Sequence, residues 1–215
     1  MNTAIILAAG ISKRFGGKIP KQYLEINAKK IIDYSIETFQ SSKCIDDIII
    51  VVEDKFIPKL KNKYPNLKVV IGGKTRKEST YYGLNSCSKK TEFVLIHDAA
   101  RIFVTNQMIN DCINALSKFD AVTIATKITD TIAKYNNNEI SSMKNRDELI
   151  SIQTPQAFHY NKILNSHKQF SGDATDDIRI MLNSGYKCSF ITGYDINFKI
   201  TTNYDYLIAS KILKK

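Results

Sequence analysis

Three small residues, Ala8, Ala9 and Gly10, close a short apolar run near the start of the chain, and Arg14 and Lys21 follow them in one long loop over residues 7–22. Small side chains let a ligand approach the backbone closely. Free N–H groups in such a loop can cradle phosphate oxygens, and two cations suit a polyanion. Two well-defined phosphate loops are excluded. A G-x-G-x-x-G fingerprint begun at Gly10 meets Ser12 and Phe15 instead of glycine. A G-x-x-x-x-G-K-[ST] loop ending on Gly73-Lys74-Thr75 needs a glycine at position 68, where Lys68 stands. A glycine loop after a strand is often an ordinary turn. Arginine, proline and lysine crowded into this one point instead to a phosphorylated ligand.

Such a loop has to be held by a strand on one side and a sheet behind it. Apolar, β-branched runs at 4–7, 47–52, 67–71, 93–96 and 121–125 read as buried strands. Helical patterns lie between them at 31–41, 56–63, 76–86 and 107–118, the last with Met108, Ile109, Cys112, Ile113 and Leu116 on one stripe. This alternation predicts an α/β fold with a Rossmann-like, mostly parallel sheet and helices on both faces. Ligands of such sheets bind beyond the carboxyl ends of the strands. The pattern breaks near Asp130. Residues 131–152 carry weak strand signals, many charges and a turn at 136–138, and predict a β-arm that packs poorly alone and dimerises the chain. Helices at 160–170, 176–184 and 204–213 and a strand at 188–192 complete one domain over residues 1–215, with Thr175 the expected cap of the second helix.

Composition narrows the partners. The hydrophobic fraction of 43 % supports a full core, and no apolar stretch approaches the ~20 residues of a membrane span. The opening Met1-Asn2-Thr3-Ala4 lacks a basic region, which argues against a signal peptide. Cys44, Cys87, Cys112 and Cys188 form no C-x-x-C pair, so a zinc or redox site is not expected, and reduced thiols in the cytoplasm are. The formal net charge of +10 could serve nucleic acid or small anions. The lysines are dispersed, with no basic run interleaved with aromatics, so neither nucleic acid nor membrane is an expected partner.

The blocks L-A-A-G-x-x-x-R-x-G and Pro20-Lys21-Gln22 resemble the signature of sugar nucleotidyltransferases, and most closely of the 2-C-methyl-D-erythritol 4-phosphate cytidylyltransferases of non-mevalonate isoprenoid synthesis. Further blocks recur in order: Gly72-Gly73-Lys74-Thr75-Arg76-Lys77-Glu78-Ser79, His97-Asp98-Ala99-Ala100-Arg101, Asp130-Thr131, Gln153-Thr154-Pro155-Gln156-Ala157-Phe158, Thr175-Asp176-Asp177 and Asn197-Phe198-Lys199-Ile200-Thr201. The resemblance spans almost the whole chain. Ser12, Ile102 and Phe198 depart from the usual Gly, Pro and Ile, which touches loop geometry and removes no charge.

The resemblance implies transfer of CMP from CTP to a sugar-alcohol phosphate with release of pyrophosphate. Arg14, Lys21 and Lys199 would be catalytic; Ala8, Ala9, Gly10, Gly73, Ser79 and Asp98 would hold CTP; Arg101, Thr131, Arg146 and Thr154 would hold the sugar phosphate. Mg²⁺ would bridge triphosphate oxygens, near Asp98, with few protein ligands. Arms exchanged across a homodimer would bring Arg146 to the partner's site. Related enzymes that use ribitol 5-phosphate for cell-surface polymers share much of the pattern. A non-catalytic nucleotide-binding module is the alternative of another class. A phosphate monoester, with a second pKa of about 6, is a nucleophile without help from a base. The chemistry therefore calls for cations rather than a catalytic histidine.

Overall fold

In the computed structural model, residues 1–12, 14–16 and 19–214 are described; Lys13, Gly17 and Lys18 of the first loop, and Lys215, lie outside them. The chain runs β1 (Asn2–Ala8), β2 (Glu25–Ile26), β3 (Lys29–Lys30), α1 (Ile31–Ser41), β4 (Asp47–Val52), α2 (Ile57–Lys63), β5 (Lys68–Ile71), α3 (Arg76–Asn85), β6 (Phe93–Asp98) and α4 (Asn106–Ala115). It continues through β7 (Ala121–Lys127), β8 (Ile132–Asn136), β9 (Glu139–Lys144), β10 (Ile150–His159), α5 (Tyr160–Gln169), α6 (Asp177–Asn183), β11 (Cys188–Thr192) and α7 (Asn203–Ile212). Seven strands form the main sheet in the order β11-β7-β10-β6-β1-β4-β5. Every pairing is parallel except those of β10, which runs antiparallel to both β6 and β7.

Alternation along β1 assigns the two faces of the sheet. Ile6 packs with Ile32, Ile36 and Phe39 of α1 and Ile109 of α4, while Ile5 packs with Leu84 of α3, Ile163 of α5 and Met181 of α6. Both faces are therefore dry, as a parallel sheet requires. At Gly83 an added Cβ would lie 2.7 Å from Ile5 Cγ2, so α3 can approach β1 because that position has no side chain. A third cluster, with Ile26, Ile31, Ile200 and Ala209, seats α7 beside the first loop.

The mostly parallel α/β architecture follows the sequence pattern, with two differences. The first is β10: residues 150–152 leave the expected arm and begin a ten-residue strand in the interior of the sheet, between β7 and β6. The block Gln153-Thr154-Pro155-Gln156 is part of that strand, and the register shifts between Gln153 and Gln156, which accommodates the proline. The second is the cap of α6. Asp176 rather than Thr175 accepts the Ile178 N–H, at 2.8 Å, because its carboxylate reaches the second N–H of the helix while Thr175 lies one residue too early. Beyond the main sheet, β8 and β9 form a separate hairpin. Its turn residues Asn137 and Asn138 have φ of +46° and +64°, the left-handed pair of a tight two-residue turn. Tyr135, Ile140 and Met143 of this hairpin are exposed.

Candidate active site

Two clefts open beyond the carboxyl ends of β1 and β6 and share one wall. The upper, of about 640 Å³, is lined by the first loop, the β5–α3 loop, Asp98 and Lys199. The lower, of about 470 Å³, is lined by β10, the start of α6, Arg101, Asp98 and Lys199. Arg76, Asp98 and Lys199 face both.

The upper cleft is shaped by backbone proximity. Ala8, Ala9, Gly10, Arg14, Lys21, Gly73, Ser79, Asp98 and Lys199 all line it. A Cβ added to Gly72 would fall 2.3 Å from Ala9 Cβ, so the two loops touch only because that residue is glycine. Gln22, which is 3 % exposed, staples the first loop: its amide donates to the carbonyls of Ala8 (2.7 Å) and Gly10 (2.9 Å). Ser12 has φ of +55°, a conformation natural to the usual glycine. Its hydroxyl offsets that strain by donating to Gln22 Oε1 (3.2 Å) and accepting the Lys21 N–H (3.1 Å). On the other side Thr75 and Glu78 form a capping box at the start of α3. Ser79 Oγ donates to Thr75 O (2.9 Å) and accepts the Gly73 N–H (3.1 Å), so this hydroxyl holds the loop in place.

The shared wall is an alternation of charges. Asp98 Oδ2 accepts Lys199 Nζ at 2.7 Å and Oδ1 accepts Arg76 Nε at 3.4 Å. Burial pushes the Asp98 carboxyl up, but Lys199 and Arg76 outweigh it and hold the group well below the usual carboxylate range. Arg76 Nη1 also donates to Asp177 Oδ2 at 2.6 Å, and Asp177 Oδ1 accepts from His167 Nε2 at 2.9 Å. Burial first, then the charge of Lys199, pulls Lys21 down to about 8 against the opposing pull of Asp98. A phosphate beside Lys21 would oppose both effects and favour the charged ammonium.

Thr154 and His97 set the height of Asp98. His97 Nε2 lies 3.1 Å from the Arg101 carbonyl, an obligate acceptor, so this nitrogen carries the proton. Nδ1 is then the acceptor for the Thr154 hydroxyl at 3.0 Å, and the same hydroxyl accepts the Asp98 N–H at 3.0 Å. Burial pushes His97 down to about 3, so the ring is neutral and takes no part in proton transfer near neutral pH. Arg101 donates from Nη1 to Asn197 O at 2.9 Å, tying the β6 end to the loop that bears Lys199.

Arg101 and Thr154 line the lower cleft, whereas Thr131 and Arg146 line neither cleft of their own chain. Both are exposed, and Arg146 Nη1 donates to Thr129 O at 2.5 Å. Sequence reasoning overlooked Arg76 and Gln22 as site residues. Both lie inside the quoted motif blocks, but neither signals its partners: Asp98 and Asp177 lie 22 and 101 residues from Arg76. Among the described residues no three His, Cys, Asp or Glu side chains form a metal cage.

The sequence matches, over residues 2–215, a family model described as 2-C-methyl-D-erythritol 4-phosphate cytidylyltransferase. A protein of that name from Clostridium botulinum (strain Langeland / NCTC 10281 / Type F) is 39 % identical, over 100 % of this chain and 98 % of its own length. One from Clostridioides difficile (strain 630) is 35 % identical, over 99 % of this chain and 94 % of its own. The crystal structure of 4-diphosphocytidyl-2C-methyl-D-erythritol synthase from Anaerococcus prevotii DSM 20548 superposes with a TM-score of 0.89 at 31 % identity, covering 100 % of this chain and 96 % of that one.

Proposed function

The chain belongs to the 2-C-methyl-D-erythritol 4-phosphate cytidylyltransferase family, and on that premise we propose how its two clefts divide the reaction. The protein transfers CMP from CTP to 2-C-methyl-D-erythritol 4-phosphate, giving 4-diphosphocytidyl-2-C-methyl-D-erythritol and pyrophosphate in isoprenoid biosynthesis. This reading is favoured over ribitol 5-phosphate as acceptor and over a non-catalytic binding module. The observation that carries the division of labour is the wall of Arg76, Asp98 and Lys199 common to both clefts. Two substrates bound on either side of it would meet there.

CTP occupies the upper cleft in this proposal, its base between Ala8–Gly10 and Gly73, its phosphates toward Arg14 and Lys21. The sugar phosphate enters the lower cleft against Arg101. One of its phosphate oxygens attacks the α-phosphorus, a new P–O bond forms, and the bond to the bridging oxygen breaks as pyrophosphate leaves. The dianionic nucleophile needs no general base, consistent with a neutral, fully engaged His97. Fixed cations lower the barrier by stabilising charge that builds on the α-phosphate, and Lys199, at the junction, faces both reactants. Thr154 acts through its hydrogen bonds, holding the Asp98 backbone at the junction.

The residues fit a magnesium ion carried by the nucleotide. Asp98 is a single carboxylate at the cleft junction, already shared by two cations, and it would supply at most one ligand. When bound, the ion supplies charge neutralisation on the triphosphate. The homodimer is supported by the hairpin. Tyr135, Ile140 and Met143 present apolar surface there, and Thr131 and Arg146 stand outside their own chain's clefts. An exchanged arm would give both residues a substrate to bind. Among the described residues no helix is long and apolar enough to cross a membrane. Unpaired Cys44, Cys87, Cys112 and Cys188 support a cytoplasmic location.

The test is pyrophosphate release with CTP against a panel of sugar phosphates. Faster turnover with ribitol 5-phosphate than with methylerythritol phosphate would overturn the choice of acceptor.

A further inference from the structure

The five side chains Lys199, Asp98, Arg76, Asp177 and His167 form one continuous chain of contacts from the clefts into the α5–α6 layer. Its members are not equally free. The Asp177 side chain is 1 % exposed, and its carboxylate is held by Arg76 and His167. A buried carboxylate that loses a charged partner is strongly destabilised, so Arg76 is anchored. The Lys199 side chain is 34 % exposed, and Asp98 is the carboxylate it pairs with. Asp98 thus offers one oxygen to a fixed cation and the other to a cation that can leave. Arg76 Nη2 has no partner among the described residues, so the guanidinium is held from two corners only.

We propose that Arg76 is a positioning residue for the transfer step: by occupying one oxygen of Asp98, it prevents that carboxylate from chelating Lys199 and leaves the ammonium able to turn to a phosphate. Asp177 and His167 serve as the mount that keeps Arg76 in place. A carboxylate with both oxygens available would close on the nearest cation, and that cation is Lys199. Arg76 therefore acts through Asp98 on Lys199 and does not itself touch the reacting atoms. The inference rests on the reading that Lys199 meets a phosphate in the transition state.

The experiment is a double-mutant cycle on the full-length protein, with CTP and methylerythritol phosphate as substrates and pyrophosphate release as the readout. Wild-type turnover comes first; its absence would overturn the functional reading and not this one. Arg76→Gln is expected to lower kcat about 30-fold with KM for CTP changed by less than about threefold, since an interaction made only in the transition state is lost. In a Lys199→Gln background the same substitution is expected to cost less than about threefold, because the group it serves is gone. Asp177→Asn is expected to repeat the pattern with a smaller loss, and Arg76→Lys, which keeps charge without the fork, to recover part of kcat. These two variants complete the cycle if Arg76→Gln does not fold. Losses that multiply in the Lys199→Gln background would overturn the proposal. So would Arg76 variants that unfold at lower temperature yet keep wild-type kcat.

Discussion

The wall between the clefts and the β8–β9 hairpin are opposites. In the wall each charge has a counter-charge, and the Thr154 hydroxyl is engaged on two sides. In the hairpin the side chains from Tyr135 to Met143 are exposed, and the pairing is confined to its own two strands. One region is complete within a single chain. The other has the chemistry of an interface and lacks a second surface. In the proposed mechanism the catalytic cations lie in the main body, and the rest of the acceptor site would depend on what the hairpin meets.

The largest effect should come from the wall and its neighbour. Lys199→Ala or Lys21→Ala is expected to lower turnover by about three orders of magnitude, as removal of preorganised charge at a phosphoryl transfer does. Rates within tenfold of wild type would remove these lysines from the mechanism. The hairpin should show a different signature. Tyr135→Lys combined with Ile140→Lys is expected to give a monomer in sedimentation analysis, with turnover down about 100-fold and thermal unfolding of the main body little changed. A dimer that persists would move the interface elsewhere. Mixing separately inactive Arg146→Ala and Lys21→Ala subunits separates the regions most directly. If each site takes a body from one subunit and an arm from the other, random exchange restores about a quarter of wild-type activity. No recovery would place both residues in sites of a single chain.

Smaller effects test the wall's charge state. Lys21 titrates near 8, and its protonated form is the one that attracts phosphate, so kcat/KM for CTP should fall about tenfold per pH unit above that value. Lys21→Arg should abolish this limb, because a guanidinium stays charged there; an unchanged profile would assign the limb to another group. Thr154→Val leaves His97 Nδ1 and the Asp98 N–H buried and unpaired, which should cost about 2 kcal/mol in a denaturant titration. The smallest change is expected for Ser12→Gly. Relief of the positive φ opposes loss of the Gln22 and Lys21 contacts, so stability should move by less than about 1 kcal/mol.

What could be read in advance depended on whether the informative neighbours are close in sequence. The first loop, with its small residues and cations, pointed to a cleft for a phosphorylated ligand because its features sit within sixteen consecutive residues, and the structure places that loop on the wall of a cleft. The strands at 47–52 and 188–192 were plain because they are short, apolar and bounded by turn residues. β10 was hidden by its composition. Pro155 argues against a central strand, and Gln153 and Gln156 add no apolar signal for one. They are tolerated because a register shift accommodates the proline, while Asn197 donates to Gln153 Oε1 and the Gln156 amide donates to Asp176 and Thr123. Arg76 was hidden by distance, since its role is defined by Asp98 and Asp177, which no local pattern connects to it.

The antiparallel β10 also bears on how the molecule comes into being. β6 and β7 follow one another in sequence, yet they are not neighbours; β10, made later, fills the slot between them. During synthesis both strands therefore present open edges until residues 150–159 arrive, a hazard that unpaired strands carry for any nascent chain. The strand that ends this exposure also delivers Thr154 to the Asp98 backbone. Filling that slot and fixing the Asp98 backbone are one event, so a chain interrupted before that point would lack both the β6–β10–β7 pairing and the Thr154 contact.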